Sequence, residues 1–231
     1  LEVNFEERSL TFCGVWSVFC LIDAMGKFLC FLAFLTPNLF VHAQKQTQEI
    51  WGAGDVKTII LATDEVFKIT VKTAPVETIT VKTLAEGEYY NEIGLNLEVI
   101  GNVLYLNSNF QEKLQGGFDK LSAHKVFAME VEMLIPEGLE LRINSNLATV
   151  HLSGEYEKIL VQLKSGSSFL KNFSGDAVIN TYNGNINVST SNALVEAESR
   201  NGEVLLPPAN GGIHQISLTS INGNIKVQET K

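Results

Sequence analysis

Beyond Cys30 the chain contains no cysteine; Cys13, Cys20 and Cys30 are its three. From residue 44 onward this excludes a disulfide framework, a cysteine metal site and a catalytic thiol. Histidine is scarce as well. After residue 43 there are His124, His151 and His214, each alone, with no His-x-x-x-His or His-Glu-x-x-His spacing. No zinc site is spelled out, and a lone histidine reads as structural. Basic charge is in deficit, with 17 Lys and Arg against 26 Asp and Glu. Residues 44–231 keep 15 of the former and 22 of the latter, a balance of −7. Such a chain is unsuited to nucleic acid or to an anionic membrane surface. No apolar run reaches the roughly 18 residues that cross a bilayer as a helix. Nothing after residue 43 shows a long 3.6-residue apolar period. Gly-x-Ser-x-Gly, the phosphate-binding loop and the dinucleotide fingerprint are missing, so no cofactor is expected.

What the chain does have is a repeat over its last ninety or so residues. The segments TYNGNINV, SRNGEVLL and SINGNIKV share the dipeptides Asn183-Gly184, Asn201-Gly202 and Asn222-Gly223. Ser165-Gly166 and Ser145-Asn146 fit the frame earlier. With Asn146, Gly166, Gly184, Gly202 and Gly223 as anchors, the spacings are 20, 18, 18 and 21. Seven residues before each anchor stand Leu139, Ile159, Ala177, Val195 and Ile216; five before stand Leu141, Val161, Ile179, Ala197 and Leu218. Two after stand Ala148, Ser168, Ile186, Val204 and Ile225; four after stand Val150, Leu170, Val188, Leu206 and Val227. Each unit therefore reads strand, tight turn, strand, with period-two apolar positions on both sides. Gly or Asn at the anchor fits a turn residue at positive φ.

Two architectures accommodate this pattern. Asn-Gly between alternating strands is a hairpin signal and would give an antiparallel meander. A fixed period near 20 residues indicates a solenoid, in which each rung stacks on the last. The unvarying apolar frame favours the solenoid. Exposed positions such as Asn185, Asn187, Ser189 and Thr190 would then form polar ladders outside.

The front of the chain divides differently. From Met25 it reads MGKFLCFLAFLTPNLFVHA, with a basic Lys27, an apolar run and small residues Val41 and Ala43. This is a secretory signal-peptide pattern over residues 25–43, predicting a mature start at Gln44 and a protein of the periplasm or cell surface. Residues 1–24 read as an upstream extension or a long leader. Residues 44–138 form an N-terminal β region and 139–231 the β-repeat region. Val56–Leu61, Val66–Thr73 and Glu77–Leu84 are rich in Val, Ile and Thr. Ala74-Pro75 links the last two as a hairpin or neighbouring strands. Gly101-Asn102 marks a second hairpin, and Gly116-Gly117 a loop. Phe127, Met129, Val131 and Met133 form one apolar face. The N-terminal strands would cap the stack, whose bare end exposes edge groups and core.

Carboxylates are the remaining enzymatic signal. Glu196 and Glu198 share one strand face, as do Glu155 and Glu157, about 7 Å apart within a strand. Glycosidase chemistry wants two carboxylates about 5 to 10 Å apart across a cleft. Solvated faces that discourage edge pairing account for the same residues. Calcium-binding solenoids need aspartate in each turn, where this chain has Asn or Ser. Ser165-Gly166-Ser167-Ser168 occupies a turn and has no base beside it in the frame. Tyr89, Tyr90, Tyr105, Tyr156 and Tyr182 share no frame and read as packing or surface residues.

The strand-rich lead, the phrase LIPEGLELRINSNLATVHLSG and the recurring NG-N-I-x-V units resemble the bacterial putative adhesin family, the head domain with a GIN motif. Ile221-Asn222-Gly223-Asn224-Ile225 matches its signature, and Tyr182-Asn183-Gly184-Asn185-Ile186 matches less fully. The resemblance covers about 55–227 and implies an exported β-solenoid-like fold. The family's motif residues are turn and core residues, so it supplies no catalytic or binding site. Glu203 departs from it, standing where the other two units have Asn.

The expectation is an all-β, solenoid-like stack of about five two-strand units, preceded and capped by irregular strands. Its structural turns are Asn146, Gly166, Asn183-Gly184, Asn201-Gly202 and Asn222-Gly223. Its expected role is a non-enzymatic adhesion or interaction module, with a protein or glycan of the cell envelope as partner. The possible binding face comprises Asn185, Asn187, Asn224 and Lys226. A carbohydrate-active enzyme using the paired glutamates, and a periplasmic structural or sensory domain acting through a protein, are the alternatives.

Overall fold

The computed structural model describes residues 44–64, 66–87, 93–110, 127–208 and 211–230. The leader, its cleavage site, Gly116-Gly117, His124, Tyr89 and Tyr90 lie outside these. The described residues are all β, with no helix. The strands are β1 (Gln44–Gly52), β2 (Thr58–Thr63), β3 (Val66–Ala74), β4 (Thr78–Gly87), β5 (Ile93–Ile100), β6 (Val103–Phe110), β7 (Phe127–Pro136) and β8 (Glu140–Ser145). They continue with β9 (Thr149–Ser165), β10 (Ser168–Asn183), β11 (Ile186–Thr190), β12 (Ala193–Ser199), β13 (Val204–Leu205), β14 (His214–Asn222) and β15 (Ile225–Glu229).

These strands make two walls. Wall A runs β5-β6-β2-β8-β9-β10-β14-β12, and wall B runs β1-β4-β7-β3-β9-β10-β11-β15-β13. The long strands β9 and β10 belong to both. Residues 149–153 of β9 pair in wall B with β3, whereas 158–163 pair in wall A with β8. Between them the strand turns a corner at Gly154, whose φ of +103° excludes an ordinary side chain. Tyr156 packs inside that corner, donating to the Val71 carbonyl at 3.0 Å and stacking on Phe173 at 5.8 Å. Neighbouring repeat units pair in parallel throughout. Stacked rungs require that arrangement, and an antiparallel meander forbids it. The inward residues form one core: Ile159, Val161, Ile179, Leu218, Val150 and Leu170 are all nearly inaccessible.

The repeat frame needs one correction at its first unit. Leu141 pairs with Ile159, and Val150 with Ser168. The anchor that stacks on Gly166 is therefore Ala148, two residues beyond Asn146. A shift of two leaves every residue on the same face, so the apolar pattern fits either register.

The rungs also stack out of chain order. Ala177 pairs with Ile216, and Ile216 with Val195. The unit of Gly223 thus lies between the units of Gly184 and Gly202. Hydroxyls on the inner side of the turns follow the same sequence. Thr181 Oγ1 donates to Gly166 O at 3.3 Å, Ser220 Oγ to Gly184 O at 3.1 Å, and Ser199 Oγ to Gly223 O at 2.7 Å. Side-chain size explains the order on wall A. Ile216 and Leu218 are buried in the interior rung, while the smaller Ala193, Val195 and Ala197 are only partly buried in the end rung. Burying a large aliphatic side chain stabilises by about 1.5–3 kcal/mol, so the larger residues gain most from the enclosed place. The frame's inward assignment fails in wall B of that end rung, where Val204 and Leu206 are exposed.

The positive φ expected of the turn glycines holds at Gly166 and not at the other three. Gly166 has φ +132°, but Gly184, Gly202 and Gly223 lie outside the positive-φ set, as does Asn146. What they share is close stacking. A Cβ on Gly184 would overlap Gly166 O, one on Gly223 would overlap Gly184 O, and one on Gly202 would overlap Gly223 O.

At the other end, β2–β3 and β6–β7 extend the same walls in parallel, with β6–β7 placed outside β2–β3. The antiparallel strands β1 and β4 follow in wall B, and β5 in wall A. The Gly101-Asn102 hairpin forms between β5 and β6. β3 and β4, read as a hairpin or neighbours, are not paired with each other; β7 lies between them. Met129, Val131 and Met133 face the core as expected.

Candidate functional site

The repeated turns gather asparagines along one corner of the stack. At the position before the glycine, Asn201 Nδ2 donates to Asn222 Oδ1 and Asn222 Nδ2 to Asn183 Oδ1, each at 2.7 Å. At the position after it, backbone amides donate to side chains of the preceding rung. Asn185 N reaches Ser167 Oγ at 3.1 Å, Asn224 N reaches Asn185 Oδ1 at 2.8 Å, and Glu203 N reaches Asn224 Oδ1 at 2.9 Å. Each amide would otherwise lack a partner at a chain reversal. The departure at Glu203 has a simple basis: its rung is the last, so no further amide needs an acceptor from it.

The four residues of the expected face divide between two settings. Asn185 and Asn224 sit at the corner, exposed, with their carboxamide oxygens committed to the ladder. Asn187 and Lys226 lie on the outer surface of wall B and are paired neighbours. Their row continues inward through Phe169 and His151, one residue per rung. His151 and Phe169 stack at 4.9 Å with nearly parallel rings. Burial, then the positive charges of Lys68 and Lys171, hold the His151 imidazole below the ordinary histidine pKa. Lys68 donates to Glu130 at 2.8 Å, and that bond raises the lysine pKa. The result is an outward-facing row of imidazole, phenyl, carboxamide and ammonium, of which His151, Phe169 and Asn187 are half-buried and Lys226 is exposed. His151 faces outward as the alternation predicts; Phe169 carries no motif, and only its rung neighbours mark it.

The carboxylate pairs stay apart from this row. Glu196 and Glu198 are exposed on β12, the outermost strand of wall A. Glu155 and Glu157 are exposed on either side of buried Tyr156 at the corner. His214 lies at the start of β14, 3.3 Å from Ser174 Oγ and 3.7 Å from Asp176. Among the described residues no three His, Cys, Asp or Glu side chains are grouped to hold a metal ion. No helix among them is long and apolar enough to cross a membrane.

A chain of this architecture has counterparts among solved structures. It is similar to a putative cell adhesion protein from Clostridium sporogenes, with a TM-score of 0.55 and 14% identity, over 81% of this chain and 100% of that one. That likeness shows a shared fold. A putative adhesin from Bacteroides fragilis aligns over 80% of this chain and 97% of that one, at 12% identity and a TM-score of 0.37. No family model and no curated protein matches the sequence. The resemblance to the family of the GIN-motif head domain therefore rests on its motifs.

Proposed function

We propose that this protein is an exported, non-enzymatic interaction module of the cell envelope, of adhesin type. Support comes from three directions: the leader pattern over 25–43, the repeat motifs, and a fold shared with a protein described as a putative cell adhesion protein. The observation that carries the reading is the outer row His151–Phe169–Asn187–Lys226 on wall B. It crosses four rungs at about 4.8 Å each. An extended surface of this kind suits a shape-matched partner, as on other repeat proteins. Asn185 and Asn224 border the row at the corner, and their amino groups complete the contact surface. Glu196 and Glu198 serve as a charged guard on the β12 edge.

Two measurements test this. Mass spectrometry of the native protein from host fractions should find a chain beginning at Gln44 in an exported fraction; an intact cytoplasmic chain would sink the export reading. Binding of the full chain to host envelope preparations should fall about tenfold or more in N187A/K226A. Unchanged binding in that variant would remove wall B as the contact surface.

A further inference from the structure

The outer surface of wall A carries a second group of amides that the corner ladder does not use. Asn144, Gln162 and Asn180 occupy one row on successive rungs, followed by Thr219 and Glu198. The carboxamides of Asn144, Gln162 and Asn180 make no hydrogen bond within the described residues, unlike those of Asn183, Asn222 and Asn201. Two residues along each strand, on the same face, stand Lys164 and Tyr182. Between the two rows runs an open groove of about 440 Å³, within the range of ligand sites. Tyr182 is 52% exposed, which leaves its ring open to a ligand. Lys164 makes no ion pair among the described residues, in a chain whose balance is acidic.

We propose that this groove binds a linear acidic oligosaccharide, with one pyranose ring stacked on Tyr182 and a uronate carboxylate at Lys164. The amide row supplies what sugar hydroxyls require: each carboxamide both donates and accepts. The aromatic face takes the apolar C–H face of the ring while the polar groups stay wet. The charge pattern sets the orientation. Glu198 closes the amide row at the outer rung, so the carboxylate goes to the Lys164 side. An extended peptide is disfavoured, because the groove lies in mid-sheet. Its floor strands already have partners on both sides, and strand addition needs a free edge. The site is separate from the wall B row and stands independently of it.

The test uses the full chain titrated with a short oligogalacturonate, followed by NMR and calorimetry, with the neutral galactan oligomer of equal length as control. Amide shifts should cluster on 144, 162, 164, 180 and 182. Y182A should weaken binding about tenfold or more while melting like the wild type, since its ring is exposed. K164Q should bring the affinity for the uronate down to that for the neutral oligomer and abolish its salt dependence. N187A/K226A should bind the uronate as the wild type does, which separates this groove from the wall B surface. Absence of binding at millimolar oligouronate would overturn the proposal, as would binding insensitive to Y182A, or shifts confined to wall B or to the β12 edge.

Discussion

The rungs of Ala148, Gly166 and Gly184 and the rungs of Gly223 and Gly202 share one pattern but differ in how it is used. In the first group the units follow one another at 18 residues and stack in chain order. Two of their strands, β9 and β10, run through both walls without a break, so each rung is tied to the next by covalent chain and by hydrogen bonds. In the second group the last unit is slotted beneath its predecessor. The end rung keeps only two residues in wall B, and leaves Leu205 57% and Leu206 46% exposed. The difference shows that a repeat position has no fixed energetic value. An inward valine contributes fully when rungs cover it on both sides and partly when it lies at the end.

The order of the last two rungs gives the most decisive way to break this comparison. With Cys13, Cys20 and Cys30 changed to serine, the pair N183C/N222C should close a disulfide under mild oxidation. The pair N183C/N201C should not. Adjacent rungs lie about 4.8 Å apart, and rungs two apart about 9.6 Å, beyond disulfide reach. Closure of the second pair would restore chain-order stacking. The next effect is on stability. Ile179→Ala in the middle should cost about 2–5 kcal/mol in urea unfolding, and Val195→Ala at the end about 1 kcal/mol or less. Equal losses would mean that the end rung is enclosed after all. Gly184→Ala should cost about 1–3 kcal/mol, because its methyl group meets a neighbouring turn carbonyl held from both sides. Gly202→Ala meets the same kind of carbonyl but belongs to an end turn that can swing outward, so its loss should be smaller by the same assay.

The smallest effect concerns pH in the middle of the stack. The folded pKa of His151 lies below the unfolded value of 6.5. Below that pH the unfolded chain takes up a proton that the folded chain refuses. Stability should therefore decline as pH falls from 6.5 through the folded pKa, and level off beneath it. His151→Gln should flatten this part of the pH profile; an identical slope in both proteins would assign it elsewhere.

Much of this architecture is readable from period-two alternation, because facing in or out is a local property of a strand. Rung order is not local. Val195 and Ala197 satisfy the frame as well as Ile216 and Leu218 do, and only competition for the enclosed place decides between them. The anchor at Asn146 failed for a related reason, being an even number of residues from Ala148. That shift also hid the candidate surfaces. Counted from Ala148, His151 falls into line with Phe169 and Asn187, and Asn144 with Gln162 and Asn180. The exposure of Asn185 was legible from alternation; Asn187, expected exposed with it, faces outward but is half-buried, and Thr190, expected outside, is buried and donates to Phe173 O. The committed oxygen of Asn185 was not legible, because its partner Asn224 lies 39 residues away. The corner glycines Gly154 and Gly175, both at positive φ, stand outside the turn frame although Ser153-Gly154 and Ser174-Gly175 repeat a dipeptide, since the bend they make joins two walls rather than two strands.

The slotted rung also bears on how the chain finds its fold in time. As synthesis proceeds, β12 and β13 are complete before β14 and β15 exist. The free edge of β10 is then open to β12, whose alternation fits it. Any β12 pairing formed there would have to be given up before β14 takes its place between the two. Refolding should accordingly split into a fast phase, growing the stack through β11, and a slower exchange at its end. Shortening the wait, by weakening β12 or strengthening the contact of β14 with β10, should merge the two phases.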